Sequence, residues 1–187
     1  MTKINSRQHI TRNGVIKRNP QKIQITDANK YDTKDIALWI RQSLKERFGN
    51  DLVFSVQKES YSGGSTIHIA LMESKRIRIV EKPENLTESY IAKYKESYQT
   101  REIVLNRQKQ DYFQLNKYQT REPYSNLNWN NGVLLTEKGH NILREVVEIA
   151  DKHNWDRSDA MSDYFDVNYY ISLNLGKWNK PFKDGYL

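Results

Sequence analysis

Residues 52–72 read LVFSVQKESYSGGSTIHIALM, and this stretch decides the fold. Leu52–Gln57 and Thr66–Met72 alternate apolar and polar side chains, the period of a half-buried strand. Between them lie Lys58, Glu59, Ser60, Tyr61, Ser62, Gly63, Gly64 and Ser65. Two glycines tolerate positive φ, so the segment predicts a hairpin connection with a longer loop.

Upstream, Asp32 or Thr33 is placed to cap a helix that runs to about Phe48, where Gly49-Asn50 stops it. Ile36, Leu38, Trp39, Ile40, Leu44 and Phe48 form its apolar side, while Lys34, Arg41, Lys45 and Arg47 mostly lie elsewhere. Downstream, Lys75–Val80 (KRIRIV) alternates again and predicts a third strand with its charges outward, closed by Pro83. A helix is expected from Thr87 to about Gln99, followed by short strands at Glu102–Asn106 and Tyr112–Leu115 and a loop over 119–132. Thr136 or Asn141 opens a helix that reaches about His153, with a stripe of Ile142, Leu143, Val146, Val147, Ile149 and Ala150. Val167–Leu175 reads as the last strand, and the tail beyond Trp178 as loose.

This order lacks the regular alternation of a parallel, doubly wound sheet. It predicts an α+β fold: an antiparallel sheet with about three helices packed on it. Residues 31–187 form one such domain, with a subdivision into 31–82 and 83–187 as the alternative. Residues 1–30 lack a sustained period, apart from a short strand candidate at Lys22–Thr26, and are expected to be a partly flexible basic arm.

A chain of 187 residues is long enough to bury a core. Twelve Tyr, five Phe and four Trp supply the bulk that a 37% hydrophobic content leaves short. With no cysteine there is no disulfide, thiolate zinc site or cysteine nucleophile. The N-terminal MTKINSRQHITRNG has no apolar run, and no stretch approaches the 18 apolar residues of a membrane span. A cytoplasmic protein without membrane contact is expected.

The net charge of +7 is unevenly spread. Residues 1–30 carry seven Lys/Arg against one acid, whereas residues 126–187 carry seven against nine. Such a cluster attracts phosphate backbones or acidic protein faces, or else only solvates a tail. The cations singled out for nucleic-acid binding are Lys3, Arg7, Arg12, Lys17, Arg18 and Lys22 in the arm, and Lys75, Arg76 and Arg78 on the expected third strand. The latter three also suit protection of a sheet edge.

Catalytic signals are sparse. His9, His68, His140 and His153 match no metal-binding spacing. Asp156, Asp159, Asp163 and Asp166 form the one carboxylate cluster and are the metal candidates, because Mg²⁺ needs converging hard oxygens. Caps and turns account for the same residues. Ser62, Gly63, Gly64 and Ser65 offer free backbone N–H groups for a phosphate, or plain hairpin chemistry. There is no GxSxG, GxGxxG or P-loop. No cofactor and no catalytic residue is predicted.

Three passages carry a resemblance. The helix Asp35–Phe48 with FSVQ, Tyr61-Ser62-Gly63-Gly64-Ser65 and TIHIAL is the first. Ser158-Asp159 with Asp163-Tyr164-Phe165-Asp166 is the second, and Asn168-Tyr169-Tyr170 through Gly176-Lys177-Trp178 the third. Over roughly residues 32–180 the chain resembles one of the large polyvalent-protein-associated domains. The resemblance implies a mobile-element origin, in a phage, plasmid or conjugative element, and a counter-defence role in a host bacterial cell. It supplies no catalytic residues. A short chain with a basic arm also has the general build of an anti-CRISPR protein.

Three functions follow as expectations. The first is a binding protein that blocks a host defence by engaging an RNA-guided nuclease, its guide RNA or both, with RNA favoured over DNA. The second is a metal-dependent nuclease, or a factor that triggers cutting, built on the Asp cluster. The third is a structural or regulatory module of a conjugative element that binds protein alone.

Overall fold

The computed structural model describes residues 8–10, 16–18, 23–28, 31–93, 101–120, 133–159, 161–162 and 165–185. Two short strands, β1 (Gln8–Ile10) and β2 (Ile16–Arg18), pair antiparallel within the arm. Residues 23–26 are not a strand. Instead Ile23 N donates to the Gln42 side chain at 2.9 Å and Ile25 packs against the core, so the segment is held by a helix rather than by a sheet.

Helix α1 (Thr33–Phe48) starts where its cap chemistry dictates: Asp32 Oδ1 accepts from Asp35 N at 2.9 Å. It stops at Gly49, whose φ of 62° suits a residue without Cβ and lets its N–H reach Lys45 O. Ile36, Ala37, Trp39, Ile40 and Leu44 are buried. Burying each of the larger ones contributes roughly 1.5–3 kcal/mol.

The hairpin is tighter than the sequence suggests. β3 (Leu52–Tyr61) and β4 (Gly64–Ser74) pair antiparallel as far as Tyr61 and Gly64, leaving only Ser62-Gly63 as the turn, with Gly63 at φ 91°. A register shift at Val53/Phe54 marks a bulge. On the helical face Ile67, Ile69 and Leu71 are completely buried. β3 is an edge strand. Part of that edge is covered by Arg41, which donates to the Val56 carbonyl at 2.6 Å.

The class is α+β, but the sheet is mixed rather than antiparallel. Its order is β3-β4-β6-β5, with β5 at Phe113–Leu115 and β6 at Tyr170–Leu175. β6 runs parallel to β4, from Thr66↔Tyr170 to Leu71↔Leu175, and β5 runs antiparallel to β6. The long connection between β4 and β6 carries α2 (Glu88–Ile91), α3 (Arg101–Gln108), β5 and α4 (Glu137–Asp151), enough chain to return to the same end of the sheet.

Two sequence expectations fail here for physical reasons. Lys75–Val80 is not a strand; Val80 makes one isolated bridge to Leu135. The N–H groups of Ile79 and Val80 go to the Asp184 carboxylate, at 3.0 and 2.9 Å, instead of to a neighbouring strand. Glu102–Asn106 belongs to α3 rather than to a strand, because the buried pair is Val104 and Gln108, one helical turn apart. Of the helix expected over Thr87–Gln99, α2 forms and gives way to a turn at 92–93, while 94–99 lie outside the described residues along with 121–132.

α4 is capped by Thr136, whose hydroxyl accepts from Gly139 N at 3.0 Å. Nor is the tail loose: Phe182 is buried and β7 (Lys183–Asp184) pairs with the end of β4. One apolar cluster runs from Ile36 to Phe182, and a second joins Leu86, Ile91, Val104 and Leu134.

Candidate functional site

Where β5, β6 and the end of α4 meet, a cleft of about 530 Å³ opens, lined in part by Lys117, Tyr118, Trp155, Asp156 and Tyr170. Lys117 Nζ and Asp151 Oδ1 form an ion pair across it at 3.2 Å. Arg157 stacks 4.3 Å from the Trp155 ring. Tyr118 and Tyr170, which line it, are exposed. These are planar, partly wet rings beside charge.

Three of the four candidate metal ligands are described, and the carboxylates of Asp156 and Asp159 are occupied locally. Asp156 Oδ1 accepts from Ser158 N at 2.9 Å, and Asp159 accepts from Met161 N and the Ser162 hydroxyl, both at 2.9 Å. These hydrogen bonds hold both carboxyls below the usual range: Ser158 acts first on Asp156, the Met161 amide first on Asp159. The Asp166 backbone N–H donates to the Ser158 hydroxyl oxygen at 3.1 Å. Asp163 lies outside the described residues. Among the described residues no group of three or more His, Cys, Asp or Glu is placed to hold a metal ion.

The histidines are scattered. His68 Nε2 faces Glu59 Oε2 at 2.7 Å on the exposed side of the hairpin. His140 is buried in the first turn of α4, and burial, followed by the Arg144 charge, lowers its pKa. His153 stands edge-on to Trp39, with ring centroids 4.3 Å apart. Within the glycine-bearing turn, Ser65 is buried and its hydroxyl meets that of Thr33 at 2.9 Å, while the Tyr61 ring lies over Gly64.

Of the cations read from the sequence, Lys3, Arg7, Arg12 and Lys22 lie outside the described residues, and Lys17 and Arg18 belong to β2. Lys75, Arg76 and Arg78 do not form one patch. Arg76 reaches Asp51 at 3.5 Å. Arg76 and Arg78 line a hollow of about 580 Å³ that also contains Glu81, Glu84 and Glu137, so its charge is mixed. Lys75 faces a different hollow, of about 330 Å³, with Arg41, Lys45, Asn50, Val53 and Phe54. The sequence reading left Arg41 and Lys45 on an ordinary solvent face. Their spacing of four on a helix was the available signal, but only the hairpin's position adds Lys75 to them.

No helix among the described residues is long and apolar enough to cross a membrane. No curated protein and no solved structure matches the chain. A family model, large polyvalent protein associated domain 29, matches residues 31–125. The match takes in α1, the β3–β4 hairpin with its YSGGS turn, α2, α3 and β5. The passages from Ser158 to Trp178 that also resemble such domains lie beyond it. With just over half its length under that model, the chain belongs to the large polyvalent protein associated domain 29 family.

Proposed function

We propose that this protein is encoded by a mobile genetic element and counters a host defence by binding, engaging an RNA-guided nuclease or its guide RNA in the host cytoplasm. The family supports the mobile-element setting. The binding reading is carried by one observation: residues 1–30 hold seven Lys/Arg against a single acid. Cations in such excess neutralise phosphates and release the counterions condensed on them. Inhibition then works by occupancy, and no bond in the target needs to break.

The test is binding of the full chain to labelled guide RNA and to the assembled nuclease, across a salt series. Removing residues 1–22, or reversing the charge at Arg12, Lys17 and Arg18, is expected to weaken binding by at least tenfold and to flatten its salt dependence. Unchanged affinity after truncation, or cleavage of the RNA that EDTA abolishes, overturns the reading.

A further inference from the structure

We infer that the hollow between α1 and the β3 edge is a phosphate seat, in which Arg41, Lys45 and Lys75 hold the backbone of a single-stranded nucleic acid. The inference rests on the polyanion-binding reading above and moves its folded anchor to residues that the sequence did not single out.

Three cations line the hollow. Arg41 and Lys45 stand four apart on α1, and Lys75 enters from the turn after β4, held there by its backbone N–H on Asp51 O at 2.9 Å. Its remaining lining comprises Asn50, Leu52, Val53 and Phe54, without a carboxylate. Among the described residues no acid lies within ion-pair distance of Arg41, Lys45 or Lys75. The 76–85 hollow differs here, because its arginines share the space with Glu81, Glu84 and Glu137. At the other end of α1, Lys34 and Lys58 already act on Asp32 and lower its pKa, after the larger effect of the Asp35 N–H.

The seat is also preorganised. Arg41 spends one N–H on the Val56 carbonyl at 2.6 Å, which fixes the guanidinium and leaves further donors for a ligand. Lys45 rests on the Asn50 side chain. Val53 is 38% exposed and, with Phe54, gives an apolar floor against which a sugar or base can lie.

What favours a nucleic-acid strand over an acidic peptide is continuity. Ile23 N is bonded to Gln42, which neighbours Arg41 in sequence and lies one turn before Lys45. Ile23, which follows the basic residues 1–22 directly, is thereby bonded to the helix that carries Arg41 and Lys45. Cations that follow one another along the sequence, from Lys3 to Lys22, and then gather at Arg41, Lys45 and Lys75 suit a chain that is charged at every unit. An acidic peptide is charged only where Asp or Glu stands.

The experiment measures binding of the full-length protein to a short labelled single-stranded RNA across a salt series, for Lys45→Gln/Lys75→Gln and for Lys45→Arg/Lys75→Arg. Lys45 is exposed and Lys75 half-buried, and both variants are checked for an unchanged Tm. The neutral pair is expected to weaken binding about tenfold and to reduce the log–log salt slope by about 1.4, or about 0.7 per lost phosphate contact on a single strand. The arginine pair is expected to retain both. If the neutral pair binds like the parent while truncation of residues 1–22 still abolishes binding, the seat is wrong and the arm reading survives. If the parent binds no RNA at low salt, both fall. If it binds poly-glutamate in preference to RNA, the occupant is an acidic protein and the inference is overturned.

Discussion

The layer made by α1, β3 and β4 and the junction where residues 76–86 meet 133–139 are both well buried, yet they are built differently. In the first, Ile36, Ile40, Leu44, Ile67, Ile69 and Leu71 repeat at the periods of helix and strand, and the sheet hydrogen bonds are generic. In the second, one antiparallel bridge, with Glu81 N on Leu134 O at 2.8 Å and Thr136 N on Ile79 O at 2.9 Å, is extended by single polar side chains that do what a longer ladder would otherwise do. Gln108, from α3, donates to Glu81 O and Leu134 O at 2.9 Å each and accepts from Leu134 N at 3.0 Å. Asp184 takes the N–H groups of Ile79 and Val80, and the Thr136 hydroxyl donates to Arg78 O at 2.6 Å. Close approach completes the junction, since a Cβ at Gly139 would collide with the Ile79 carbonyl. Repetition spreads stability over many residues; a polar plug concentrates it in one.

That contrast is sharpest at Gln108. Gln108→Ala leaves the Leu134 N–H and the Glu81 carbonyl without that partner, while Leu134 O keeps the Glu81 N–H at 2.8 Å, and is expected to cost about 3 kcal/mol in chemical denaturation. Ile69→Val in the hairpin layer, by comparison, is expected to cost about 1 kcal/mol. Equal costs would erase the distinction.

The next effect is expected at Asp184. Burial raises its pKa, against the lowering effect of the Ile79 and Val80 N–H groups. Asp184→Ala is expected to cost about 2 kcal/mol through the two orphaned donors. Asp184→Asn keeps an acceptor and removes the buried charge, so its Tm should stay close to that of the parent. A low Tm for both variants would show that the charge itself is required.

The smallest effect is a pH dependence. His140 has a folded pKa below its ordinary 6.5, set by burial and then by Arg144. The unfolded chain therefore takes up the proton more readily than the fold does, and unfolding gains free energy as the pH falls. The stabilising contribution is complete above about 6.5 and is lost below it, towards the folded value. His153 is shifted the same way, by burial and then by Lys152, and adds to the trend. Thermal melts should show Tm falling through this window, and His140→Gln should flatten the curve. A Tm that rises on acidification would contradict the assignment.

What the sequence made legible is the repeating part. Asp32 and Gly49 bound α1 as their cap chemistry requires, and the stripe Ile142, Leu143, Val146, Val147 located α4. The hairpin was visible, although the strands consume all but two of the residues expected in its loop. KRIRIV misled because alternation reports which side chains are buried, not what satisfies the backbone; Asp184, more than a hundred positions later, does that. α3 misled because its buried face includes a glutamine, which an apolar pattern does not count. The parallel relation of β4 to β6 leaves no mark in either strand. Likewise Lys75, Arg41 and Lys45 meet only because a hairpin lies beneath a helix, so local reading placed Lys75 with Arg76 and Arg78.

Strand β6 lies beyond residues 31–125 and yet occupies the centre of the sheet, against β4. A chain leaving the ribosome has completed its family-matched portion well before Tyr170–Leu175 is made. During that interval β4 has β3 on one flank and an open edge on the other, with Ile67, Ile69 and Leu71 incompletely covered. Closure waits for Tyr170–Leu175 to be made, so the nascent domain passes through a stage at which a holding chaperone, or another strand, can take the place reserved for β6.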